Sequence, residues 1–221
     1  MAETIILYLA KLLALMIVLP MHEFAHGFAA VKFGDLTPKI NGRYTLNPFA
    51  HFDPIGLIAF VLAGFGWAKP MPVNPSNFRK YKSGCFWVSV AGVIANFLTS
   101  FLAYPLLFLI IFFVPDIGFF DDLLYQTVFY VFIFGLTFFV FNLLPIYPLD
   151  GFRVVDVFNK KRGPVYRFLR NYGVYILYAL FILSFIADIT GFYQIDILGW
   201  IINFFVGYLQ IPIVLFWGLI F

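Results

Sequence analysis

"IILYLAKLLALMIVLPMHEFAHGFAAV", residues 5–31, is a long apolar run interrupted near its end by two histidines and a glutamate. A helix crosses a bilayer with about 20 apolar residues, and this run exceeds that. It is too long for a signal peptide and ends without a small-residue cleavage site, so it reads as a retained span. Composition agrees: 63% of the 221 residues are hydrophobic, 22% aromatic and 11% charged. Soluble domains carry about 25% charged residues. Four further runs are candidate spans: Phe86 to Val114, Leu123 to Leu144, Tyr172 to Ala187 and Ile197 to Phe221. A shorter piece, Ile55 to Ala68, contains three glycines and is expected to be re-entrant or surface-lying rather than spanning. The expected fold is an all-α polytopic membrane protein with about five transmembrane helices.

Charge sets the expected orientation. Of 14 Lys and Arg, seven lie between Lys32 and Lys82 and six between Pro145 and Asn171. The N-terminal Glu3 and the loops holding Asp116, Asp121 and Asp122, and Asp188 and Asp196, carry none. The positive-inside rule puts both basic loops in the cytoplasm and the N-terminus outside. Lys11 departs from this split and is expected to snorkel outward or line a cavity. A net charge of +3 gives no reason to expect nucleic acid. The single cysteine, Cys85, excludes an internal disulfide and a cysteine zinc knuckle. No internal repeat, low-complexity tract or signal for an oligomeric state is visible, and no soluble domain fits between the spans.

His22 and His26 are one helical turn apart, so both rings face the same way and can grip one cation. Glu23 lies about 100° round the helix, near that cation but not aimed as a ligand. This is HExxH, in which two imidazoles hold zinc and the glutamate takes a proton from the water that zinc activates. The bland alternative is a set of satisfied polar residues. With three histidines and two glutamates in the whole chain, chance placement of the pattern is rare. Ionisable groups inside a span are functional by default. His22 is 19 residues beyond Glu3, about 28 Å of straight helix, which puts the motif just inside the cytoplasmic edge. Pro20 removes one helical hydrogen bond beside it.

Catalytic zinc takes three protein ligands and a water. "FNLLPIYPLDGFR", residues 141–153, ends the third span, and Pro145 and Pro148 must unwind it. Asp150 then falls on irregular backbone at the same membrane face as His22. Spacing alone leaves it as the third ligand or as a polar turn leaving the membrane.

"HEFAH" (22–26), "AGVIAN" (91–96) and "NLLPIYPLDG" (142–151) together resemble the site-2 protease family of intramembrane zinc metallopeptidases. "GRYTLNPFAHFDPIG" (42–56) and "GFGWAKPMPVNP" (64–75) resemble its compact bacterial branch, which lacks PDZ and CBS domains. The likeness covers residues 15–155 and implies His22, His26 and Asp150 as ligands of one zinc ion, with Glu23 as catalytic base. It implies that Asn96 touches substrate or stabilises the reacting carbonyl, although an amide in a span more commonly bonds neighbouring helices. Val93 stands where the family often has proline. The implied domains are a catalytic core of three spans, residues 1–155, and two additional spans, 156–221, which carry no motif. The implied partners are a transmembrane protein substrate and the lipid bilayer, with the protein in a bacterial cell membrane.

His51 and Asn142 are placed with the active-site loops. His51 is read as a loop tether with Asp53 as partner, or as lining the site's entrance. Asn41-Gly42 is a hairpin turn signal, so short strands are expected within residues 37–47, either offering an edge to an extended substrate or folded against the protein itself. A rival class is a membrane metal carrier or sensor, since transporters also break helices at metal sites. The absence of a repeat and the position of all proposed ligands in one membrane half weigh against it.

Overall fold

The computed structural model describes residues 2–63, 66, 68–115 and 118–221. Parts of the 64–75 motif, and Asp116 of the acidic loop, lie outside the described residues. The chain is an all-α polytopic membrane protein. Five helices are long and apolar enough to cross a membrane. In chain order the helices are α1 (Ala2–Lys32), α2 (Thr37–Ile40), α3 (Pro48–His51), α4 (Pro54–Ala63), α5 (Tyr81–Phe113), α6 (Phe119–Leu143), α7 (Asp150–Phe158), α8 (Pro164–Thr190) and α9 (Ile197–Gly218). The spanning helices are α1, α5, α6, α8 and α9, at the places the apolar runs indicate.

Helices α1, α5 and α6 pack against one another, and α9 closes on α5 and α6. Ala14, Val18, Ala103, Val131, Phe132, Leu136 and Ile213 form their shared core. Lipid gives no hydrophobic drive for this contact, so close packing and interhelical hydrogen bonds carry it. Ser100 Oγ donates to the Phe132 carbonyl at 2.8 Å, and Trp217 Nε1 donates to the Phe101 carbonyl at 2.9 Å. Helix α5 runs unbroken through Val93. Lys11 Nζ stands 5.4 Å from the Tyr130 ring centre, so the cation inside the first span rests on an aromatic face.

The expected hairpin is not there. Residues 37–40 form a turn of helix, and no strand occurs among the described residues, only an isolated bridge between Phe52 and Ala68. Two features override the turn signal. Pro38 pre-sets helical φ at the start of α2. Asp35 Oδ1 accepts from Thr37 N at 3.1 Å and from Thr37 Oγ1 at 2.5 Å. Asn41-Gly42 then ends α2, with Asn41 Nδ2 donating to the Thr37 carbonyl at 2.8 Å.

Asp35 is completely buried and also ties this turn to the segment before α5. It accepts from Asn77 Nδ2 and from Asn74 N, each at 2.8 Å. Burial pushes its carboxyl pKa up, but the hydrogen bonds from Thr37, Asn77 and Asn74 outweigh that and hold it below the ordinary value. Folding therefore favours the ionised form. The stabilisation is complete above the ordinary carboxylate range and is lost as pH falls through and below it. In detergent, Asp35→Ala is expected to lose about 2–3 kcal/mol of stability. Melting curves at falling pH should show wild type losing more stability than Asp35→Asn; equal losses would remove Asp35 as the titrating group.

Candidate metal centre

His22 and His26 lie on the face of α1 that packs into the bundle, 6% and 3% exposed. Their Nε2 atoms are 3.0 Å apart. Asp150 reaches them from the far side of the sequence. Helix α6 stops at Leu143, and Asp150 is the first residue of α7. The two prolines unwind the chain as expected, but Asp150 begins a short helix rather than sitting on irregular backbone. Gly151 makes this possible: a Cβ there would stand 2.2 Å from the Leu143 carbonyl oxygen. Asp150 Oδ2 lies 3.4 Å from His22 Nε2 and 3.0 Å from His26 Nε2, while Oδ1 faces Arg153 at 3.6 Å.

These separations suit zinc. Tetrahedrally arranged ligand atoms at zinc's usual bond lengths to nitrogen and oxygen lie about 3.3 Å apart. The three donors form the one such cluster among the described residues. Asp150 Oδ2 is buried and accepts no well-aligned hydrogen bond, a costly state unless a cation faces it. Two imidazoles and a carboxylate are also the donor set of a hydrolytic zinc site with a position left for water.

Helix α5 supplies the floor. A Cβ on Gly92 would stand 2.4 Å from His26 Nε2 and 2.6 Å from His22 Cε1, so only glycine lets α5 pass this close to the rings. One turn before it, the Val88 carbonyl lies 2.6 Å from His26 Nδ1. One turn after it, the Asn96 side-chain amide lies 3.0 Å from His22 Nδ1.

Glu23 is buried, and its Oε2 accepts from the backbone N–H of Met71 at 2.7 Å. Nothing in the side chain of Met71 announces this contact, which sequence reading missed; the flanking Pro70 and Pro72, which hold a chain extended, were the available signal. Glu23 and His22 open onto a cleft of about 470 Å³ walled by α1, α4, α6, α8 and the start of α9. Its walls are mostly apolar, and Asn142 lines it with its Nδ2 donating to the Phe138 carbonyl at 3.0 Å.

His51 is not part of this centre. It is fully buried, with Nε2 2.7 Å from the Thr45 carbonyl and Nδ1 3.5 Å from Arg43. These contacts tie it to its own loop, but Asp53 is not its partner. That carboxylate instead caps α4, accepting from Ile55 N and Gly56 N at 3.0 and 3.1 Å.

No family model matches the chain, and no solved structure does. Two curated proteins are similar to it. One, named "Putative zinc metalloprotease YwhC", from Bacillus subtilis, is 41% identical over 145 residues, covering 65% of this chain and 66% of that protein. The other, named "Putative zinc metalloprotease Rip2", from Mycolicibacterium smegmatis, is 28% identical over 144 residues, covering 62% of this chain and 52% of that protein. The chain thus spans just under two thirds of the first relative's length and about half of the second's. Both names support a zinc metalloprotease family.

Proposed function

We propose that this chain is a zinc-dependent intramembrane endopeptidase of the site-2 type, which cuts other membrane proteins in or near a spanning segment. One observation carries the reading: His22, His26 and Asp150 converge at zinc-like spacing inside an apolar helical bundle, with Glu23 buried beside them. The charge asymmetry of the loops supports a site facing the cytoplasm and an N-terminus outside, and the bacterial sources of both relatives support a bacterial cell membrane. Residues 1–155 form the catalytic core, a division supported by the mutual packing of α1, α5 and α6. Residues 156–221 add two spans that help wall the cleft.

His22, His26 and Asp150 would hold the ion. When bound, zinc supplies Lewis acidity, making water nucleophilic near neutral pH and polarising a peptide carbonyl. Glu23 takes the proton of the attacking water and delivers one to the departing amine as the C–N bond breaks. The Met71 N–H holds one carboxylate oxygen of Glu23 and leaves the other for this work. The apolar cleft receives the substrate span and excludes bulk water. A helical peptide carbonyl is hydrogen-bonded and shielded, so the substrate must unwind locally, and helix-weakening residues are expected near its cut site.

The test is incubation of the detergent-solubilised protein with a single-span substrate, with and without a chelator. Cleavage that stops with chelator and returns with zinc is expected. Zinc flux into vesicles without any cleavage would replace the protease with a metal carrier.

The Met71 contact gives a second check. Met71→Pro deletes the backbone donor of a residue already flanked by two prolines, together with the side chain that packs against Gly27, while Met71→Leu keeps the donor and much of that packing. Losing a hydrogen bond to a charged group costs about 1.5–3 kcal/mol. Met71→Pro should therefore keep its zinc and lose cleavage by about tenfold or more, with Met71→Leu near wild type. An unchanged rate in Met71→Pro would show that Glu23 is oriented without the backbone clamp.

A further inference from the structure

We propose that Asn96 is a positioning residue for the zinc ligand His22, acting through its side-chain carbonyl rather than touching substrate. The inference rests on the metal-site reading above. Asn96 is completely buried on α5 and is not among the described residues that line the cleft. Its amide does reach His22 Nδ1, at 3.0 Å.

The chemistry of that contact is decided by the other end of the ring. His22 Nε2 faces Asp150 and His26 Nε2, so a metal would take its lone pair there. Nδ1 must then carry the proton and needs an acceptor. With Nδ2 turned to the ring, two donors would oppose each other and Oδ1 would be left buried without a partner. Rotating the amide by half a turn exchanges two atoms of nearly equal size and sets Oδ1 against Nδ1–H. His26 has the matching arrangement already, with Nδ1 donating to the Val88 carbonyl at 2.6 Å.

Val88, Gly92 and Asn96 follow one another at successive turns of α5. They form one device: an acceptor for each imidazole, and between them the missing Cβ that admits both rings. Such outer partners fix the tautomer, aim the ring and raise ligand basicity; their loss typically costs about 10- to 100-fold in metal affinity.

The experiment measures zinc and cobalt affinity by chelator competition, in detergent, for wild type, Asn96→Leu, Asn96→Ser and Asn96→Asp. Leu is similar in volume but cannot accept a hydrogen bond; Ser is too short to reach. Both are expected to bind metal about 10- to 100-fold more weakly. Asn96→Asp keeps an acceptor in place and should bind at wild-type strength or tighter, with an unchanged cobalt absorption spectrum. Should Asn96→Leu fail to fold, the contrast between Ser and Asp decides. Wild-type metal affinity in Leu or Ser with cleavage lost would overturn the proposal in favour of substrate contact. Equal weakening in Ser and Asp would overturn the acceptor role. A wild-type protein that binds no metal would instead sink the metal-site reading itself.

Discussion

Glu23→Gln is expected to retain one zinc per chain while peptide cleavage falls by a factor of about 10² to 10⁴. The substitution is nearly isosteric, and the glutamine carbonyl can still accept from Met71 N–H, so loop and helix keep their contact. What disappears is the basicity. An amide cannot take a proton from water at neutral pH or return one to an amine, and the proposed mechanism assigns both transfers to the same atom of Glu23. The loss should sit at the upper end of the range for that reason. Metal content by elemental analysis and cleavage of a single-span substrate, measured on the same preparation, give the two halves of the result. Full activity would dismiss the general base; loss of zinc together with activity would make Glu23 a ligand.

Much of this was legible in the sequence because membrane chemistry makes polar residues conspicuous. His22, Glu23 and His26 stand out in a run of Leu, Ile and Val where each costs free energy. Pro145 and Pro148 announce an unwound segment, which is where α6 ends and Asp150 is delivered to the histidines. What stayed hidden is carried by the backbone or by ordinary-looking polar residues. The Met71 N–H that holds Glu23 has no side-chain signature. Asp35 carries no motif that marks it out, yet is completely buried and accepts four hydrogen bonds. It also defeats the hairpin reading of Asn41-Gly42. A turn dipeptide reports only local preference, whereas Asp35 and Pro38 together fix the helical turn that precedes it. His51 takes its partners, the Thr45 carbonyl and Arg43, from across the loop and not from the neighbouring Asp53 that the sequence offers.

Gly92→Ala should separate the metal centre from the fold. The added methyl would stand within 2.7 Å of atoms in both ligand rings, including His26 Nε2. Contacts that short are not tolerated, and overpacking of a tight interior costs about 1–3 kcal/mol if the surroundings hold still. Here the surroundings have a cheaper way out. Helix α5 is held by its packing against α1 and α6 and by the Ser100 bond to Phe132, whereas the clashing atoms belong to side chains that can rotate. The rings therefore swing aside. In doing so they abandon the directions that point both Nε2 atoms at Asp150, along with the contacts to Val88 and Asn96. A single methyl group is thus expected to leave helical content and melting in detergent close to wild type while zinc content drops towards zero and cleavage vanishes with it. The comparison that isolates the cause is Gly84→Ala, on the same helix but against Phe78 rather than the histidines. It should keep its zinc. A Gly92→Ala protein carrying a full complement of metal would show that α5 does not press on the rings, and the centre would have to be rebuilt with the helix further away.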